Sequence, residues 1–165
     1  MSFPGMCWLE QVTDLINQGS TTAALPAGYS LGMVRYEGAK RYRLAVAGGT
    51  IAQYAPVKSN SAATTKSSSN VVPTAGVSDV TVGICEVANV AAGVYFWMTV
   101  DGEATVTVTG AVTFGAELSA SATAGTAQQA PYTATNGVQQ GIIGSAVASQ
   151  ASGTANLLVR LQGLT

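Results

Sequence analysis

Val94-Tyr-Phe-Trp-Met-Thr-Val-Asp-Gly-Glu-Ala-Thr-Val-Thr-Val108 is the most strand-prone run in the chain. Its halves, 94–100 and 104–108, flank Asp101-Gly102, a dipeptide that tight hairpins favour because glycine accepts a left-handed backbone. A hairpin is therefore expected. A two-residue Asp-Gly turn would pair positions summing to 203 and would mix polar and apolar side chains on both faces. A three-residue loop, with Gly102 as a left-handed bulge, pairs positions summing to 202. Val94, Phe96 and Met98 then share a face with Val108, Val106 and Ala104, and Tyr95, Trp97 and Thr99 share the other with Thr107, Thr105 and Glu103. One residue of slip turns every side chain over, so burial selects the second register. It places Tyr95 and Trp97 off the core, where large aromatics mark an interface.

The same style extends outward. Tyr29–Tyr36 and Arg41–Val46 read as strands around the turn Glu37-Gly38-Ala39-Lys40. Tyr42, Leu44 and Val46 alternate with Arg41, Arg43 and Ala45, the pattern of a half-buried strand. Gly48-Gly49 breaks it, and 50–57 restarts. Val80, Val82 and Ile84 alternate, and 116–165 consists of short apolar runs with turns at Ala124-Gly125, Asn136-Gly137 and Ser152-Gly153. Eight to ten short strands with glycine-containing turns predict an all-β body, an antiparallel sandwich or barrel, over residues 26–165. Residues 59–78 are expected to be a mobile polar loop, because Ser59–Asn70 holds too little apolar area to offset the entropy of ordering it. Residues 1–25 form an N-terminal arm. Trp8, Leu9, Val12, Leu15 and Ile16 are spaced as a helical stripe, although a strand or an irregular lead-in fits the segment as well. An internal echo links Val82–Ala88 and Ala92-Gly93 to Ile143–Ala148 and Ser152-Gly153. It is either a duplicated hairpin or the ordinary look of Ala/Val/Gly-rich β sequence, and the second reading is preferred.

Only 9% of the 165 residues are charged, against about 25% in an ordinary soluble domain. Scarce charge with 47% apolar residues suits a surface partly covered by other subunits. Net charge is −1, but residues 1–66 carry six basic and three acidic residues, while 67–159 carry five acids and no base. Such polarity can align subunits head to tail or dock one end on a charged surface. No bulk attraction to nucleic acid follows. The start, Met1–Gln11, shows no basic segment followed by an apolar run, so no secretory leader is expected, and no stretch is long enough for a membrane span. The chain is expected to be made in a reducing cytoplasm; Cys7 and Cys85 permit one disulfide, but buried free thiols are the commoner reading for cysteines among apolar residues.

Catalytic constellations are absent. There is no histidine, which removes Cys/His zinc sites and histidine-based triads. The eight acids form no calcium-loop or two-metal pattern. No cofactor and no enzymatic activity are expected; a distant carboxylate pair for glycan cleavage is the weakest of the readings. The candidate partner contacts are Trp8 in the arm, Arg35, Lys40, Arg41 and Arg43 in the basic stretch 35–43, and Tyr95 and Trp97.

Three stretches, Leu31–Gly48, Val87–Met98 with the Asp-Gly turn and Ser119–Gly125, and Gly141–Ala148 with Leu157–Leu161, resemble the capsid decoration or cement proteins of tailed phages in style and order. The resemblance covers about half the chain and carries no catalytic residue. It implies a β-rich body, often trimeric, on the outer capsid surface, bridging neighbouring major capsid proteins and helped by an N-terminal arm. The polar segment 59–70 has no counterpart in that pattern. A head spike or host-adhesion β domain is the alternative.

Overall fold

A computed structural model describes residues 25, 29–61, 69–131 and 141–164. The arm 1–25, with Trp8 and Cys7, lies outside them apart from Leu25. The described residues form ten strands and no helix: β1 (Val34–Glu37), β2 (Lys40–Ala47), β3 (Ala55–Ser59), β4 (Asn70–Pro73), β5 (Gly83–Cys85), β6 (Tyr95–Thr109), β7 (Glu117–Ala120), β8 (Ala127–Gln129), β9 (Ile142–Ala146) and β10 (Thr154–Leu161). The all-β expectation holds.

The expected hairpin does not form. Residues 95–109 are one continuous strand, β6. Its first half pairs with β2, from Val46↔Tyr95 to Arg41↔Asp101, and its second half pairs with β10, from Gly102↔Leu161 to Thr109↔Thr154. Gly102 has φ +93, as a turn or a bulge requires, but here it marks the point where the strand changes partners. Ala39 O approaches so closely that a Cβ on residue 102 would sit 2.6 Å from it. The register slips by one residue between Arg41 and Tyr42, a bulge that bends the strand.

The pairings close two rings. β2 pairs with β4, β4 with β3, β3 with β5, β5 with β6, and β6 returns to β2. β6 pairs with β8, β8 with β7, β7 with β9, β9 with β10, and β10 returns to β6. Each ring is a five-stranded barrel, and β6 belongs to both. In each ring one pairing, β2–β4 or β6–β8, is parallel and the rest are antiparallel. Closure removes the free edges of the ring strands, while β1 stays outside both rings and pairs only with β2 among the described residues.

The rings repeat one another. Adding 61 to each residue number carries Val57↔Gly83 into Leu118↔Gly144 and Pro56↔Ile84 into Glu117↔Ser145. It carries Ala45↔Phe96 into Val106↔Leu157. β4 maps onto β8 with an offset of 56, so Ala47↔Val71 becomes Val108↔Ala127. The echo between Val82–Ala88 and Ile143–Ala148 is thus structural, against the preferred reading from sequence.

One apolar cluster runs through both barrels, with Phe96, Met98 and Val100 from one half of β6 and Ala104, Val106 and Val108 from the other. The predicted face assignment therefore survives loss of the hairpin. The assignment on β2 does not: Ala45 and Ala47 enter the core cluster, not Tyr42, Leu44 and Val46. A five-stranded barrel is narrow. Phe96 and Met98 fill it, so β2 supplies small residues there, and Leu44 is buried on the outer face instead.

Within the expected loop 59–78, Asn70–Pro73 form strand β4, held because Val71 is fully buried. The neck of the connection is closed by Asn60 N–H donating to Asn70 O (2.8 Å) and by their paired side-chain amides (3.3 Å).

Candidate docking surface

The basic stretch forms the hairpin β1–β2. Glu37 pairs with Lys40 across Gly38-Ala39, and Gly38 takes φ +58, which the two-residue turn needs. Opposite residues share a face. Arg35 and Glu37 lie with Tyr42 and Lys40, whereas Val34 and Tyr36 lie with Arg43 and Arg41.

The first face is tied down within the chain. The Arg35 guanidinium stands 4.8 Å from both the Tyr42 and the Trp97 ring centroids, and 3.4 Å from Glu37. Trp97 does point away from the barrel interior, as its parity requires, but it is only 3% exposed. It is a packing residue rather than an open anchor. Lys40 Nζ reaches Glu86 at 3.0 Å. Burial, more than any neighbouring charge, raises the Tyr42 hydroxyl above its ordinary pKa, which keeps it protonated and neutral.

The second face is open. Val34 is 43% exposed and Tyr36 is 75% exposed, beside the half-buried Arg41 and Arg43. Tyr36 is a contact candidate that the sequence reading passed over, because its strand was recognised but not its facing. Tyr95, half-buried, lies across from Val46 at the far end of β2. The structure thus gathers Arg35, Lys40, Arg41 and Arg43 on one hairpin, sets Trp97 beneath it, and leaves Tyr95 apart.

Where the hairpin, β6 and β10 meet there is a cleft of about 780 Å³, lined by Glu37, Lys40, Tyr42, Asp101, Glu103 and Arg160 among others. Arg160 and Glu103 bridge at 3.3 Å across its rim. Among the described residues no group of three or more His, Cys, Asp or Glu is placed to hold a metal ion, and no helix is long and apolar enough to cross a membrane. Cys85 is free and buried, and burial pushes its thiol up to about 11, far from nucleophilic at neutral pH.

Two acids that sequence reasoning missed organise this region. Glu86 accepts from Lys40 Nζ, from Thr99 Oγ1 at 2.6 Å and from Thr105 N–H at 3.1 Å. A lone acid directly after the apolar run Val82–Cys85 was the available signal, since buried charge must be paired. Asp79 accepts from Lys58 Nζ (2.8 Å), Ala75 N–H (2.7 Å) and Gly76 N–H (2.9 Å), pinning the β4–β5 connection to β3. Burial raises its pKa, but the hydrogen bonds and the Lys58 charge outweigh that and hold the carboxyl below its ordinary value. Asp79→Asn is expected to cost about 1–3 kcal/mol at neutral pH. A depressed folded pKa gives stability that is present above the unfolded value and lost as pH falls through the folded one. The gap between wild type and Asp79→Asn in urea melts should therefore hold from neutral pH downward and shrink below about pH 4. A gap that stays constant into acid would remove the carboxylate from this role.

No family model matches the chain, and no curated protein does. A solved structure described as "The crystal structure of head fiber gp8.5 N base in bacteriophage phi29" does match. The TM-score is 0.53 at 13% identity, covering 75% of this chain and 95% of that one, so the chain is similar to that protein in fold.

Proposed function

We propose that this chain is a structural protein of a phage head that binds the outer capsid surface and bridges neighbouring major capsid proteins, stabilising the shell. The observation that carries this reading is the likeness in fold to a head fiber base over nearly all of that base. The mechanism is thermodynamic. A protein that binds the assembled shell but not its separated parts favours assembly by mass action, and many identical contacts add avidity. The open hairpin face is the contact surface we favour, because an exposed tyrosine flanked by arginines is rich in the residue types that dominate binding energy. On this reading the protein resides on the virion, acts without a cofactor or catalysis, needs neither nucleic acid nor membrane, and works as a homo-oligomer, a trimer being favoured.

A second reading, a head spike or host-adhesion domain, is favoured because the similar structure is the base of a head fiber. In that case the two barrels would anchor a projecting partner rather than cement the shell.

Co-sedimentation with empty capsids tests both. Binding at a fixed ratio to the capsid protein, with a rise in the capsid melting temperature, supports cementing. Binding without that rise supports a base for a projection, and protein left in the supernatant sinks cementing and favours a host-adhesion domain. Tyr36→Ser is expected to weaken capsid binding by about tenfold or more, as loss of an interface tyrosine does. Its melting temperature should be unchanged, since the ring is 75% exposed. Unaltered binding would clear the hairpin face of a role.

A further inference from the structure

The repeat indicates which surface of the second barrel lacks a neighbour among the described residues. In the first barrel, residues 52–56 and the end of β4 at Pro73 and Thr74 make a seat that the second barrel fills. Gly125 N–H donates to Thr74 O at 2.7 Å, and Thr107 N–H donates to Tyr54 O at 2.9 Å. Gly125 lies so close that a Cβ there would stand 3.3 Å from Ala55 Cβ and 3.7 Å from Pro73 Cβ. Ala55 is 1% exposed and Thr74 0%.

Offsets of 61 along β3 and 56 along β4 carry this seat to residues 113–117 with Gln129 and Ala130. These residues line a groove of about 350 Å³. The backbone is built the same way. Ala130 N–H donates to Glu117 O at 2.8 Å, as Thr74 N–H does to Pro56 O at 3.0 Å. Ala116 N–H donates to Thr113 O, as Ala55 N–H does to Ala52 O. The differences are two side-chain acceptors, Gln129 Oε1 for Thr113 N–H at 3.1 Å and Ser149 Oγ for Phe114 N–H at 2.9 Å, and the covering by other described residues. Glu117 and Gln129, at the positions of Pro56 and Pro73, are exposed, and Phe114, at the position of Gln53, is 73% exposed.

We infer that this groove is the seat for the first barrel of a second copy of the chain, so that copies join head to tail. Within one molecule the equivalent seat already holds a barrel of this architecture. The charge distribution agrees in sign: residues 29–101, which carry the first barrel and its hairpin, hold six bases against four acids, and 102–164 hold Glu103 and Glu117 against Arg160, so head-to-tail contact sets the more basic barrel against the more acidic one. Glu117 contributes one of those acids to the groove itself. Phe114, 73% exposed, supplies an aromatic side chain of a type enriched at interfaces. Such a contact is heterologous, and it closes into a ring or runs on as a filament according to the rotation between copies. None of this depends on the capsid reading.

Sedimentation velocity of the full chain from about 1 to about 100 µM, a range that spans modest to weak affinities, tests it. The wild type should rise to a whole multiple of the monomer mass. Phe114→Asp and Glu117→Lys should each raise the dissociation constant, Phe114→Asp by about tenfold or more. The dilute variants should melt like wild type, because both side chains are exposed. A wild type that stays monomeric throughout, or variants that associate as it does, would overturn the inference. A monomeric wild type whose capsid binding is lost in Phe114→Asp would assign the groove to the shell protein and overturn it equally.

Discussion

Gly144→Ala is expected to dismantle the second barrel. A Cβ at residue 144 would run into the carbonyl oxygen of Arg160 and lie 2.8 Å from that carbonyl carbon and 2.9 Å from Leu161 Cα. These are backbone atoms, and they cannot retreat cheaply. Gly144 sits between two paired neighbours, opposite Leu161 of β10 and opposite Leu118 of β7. Moving either strand loosens the ring. The cost should exceed about 3 kcal/mol, in the upper range for one added methyl. For a chain of this size that lowers the melting temperature by about 6–12 °C or more. The repeat supplies the control. Gly83 holds the same position in the first barrel, but a Cβ there would meet Met98, with Sδ at 2.6 Å and Cγ at 2.8 Å. A methionine side chain can shift rotamer, so Gly83→Ala should cost less. Thermal and urea melts of both variants decide the matter. If Gly83→Ala proves the more damaging, backbone approach is not what demands glycine at this place.

That pair of glycines also shows what the sequence could and could not disclose. Side-chain parity was legible. Phe96, Met98, Ala104, Val106 and Val108 all lie in the core, as the alternation along 94–108 requires. The same parity results whether Asp101-Gly102 reverses the chain or lets it run on, because both arrangements keep even-numbered residues on one face. Local sequence therefore could not tell a hairpin from a shared strand; that was decided by β2 and β10, distant in sequence, which take the two halves of β6. The repeat was faint for a related reason. What the barrels share is register and tight backbone approach, not side-chain identity: Trp97 maps to Leu158, and Leu44 to Thr105. On the outer faces, the first barrel buries Leu44 and Trp97, while Leu158 in the second is 41% exposed. The basic hairpin was found by charge and turn chemistry alone, but which of its faces is open depends on where Trp97 and Glu86 lie, and that is tertiary information.

Glu86→Ala is expected to cost about 2–4 kcal/mol, because it strips the acceptor from several donors at once. Lys40 Nζ, Thr99 Oγ1 and Thr105 N–H all converge on this carboxylate. The geometry explains why an acid stands there. Past Gly102, β6 leaves the first barrel, and among the described residues the edge facing away from β10 has no strand partner until β8 pairs at Val108. Thr107 N–H on that edge finds Tyr54 O, and Thr105 N–H finds the Glu86 carboxylate in place of a strand carbonyl. Glu86→Gln keeps one oxygen and the shape, so it should cost roughly half as much. Hydrogen exchange gives a readout that stability alone does not. In Glu86→Ala the Thr105 amide should exchange much faster than in wild type, while the Thr107 amide, still bonded to Tyr54 O, keeps its protection. If the two amides lose protection together, the barrels open as one unit and Glu86 is an ordinary surface partner of Lys40. If Thr105 alone is released, the carboxylate is what closes the strand edge where one barrel hands β6 to the next.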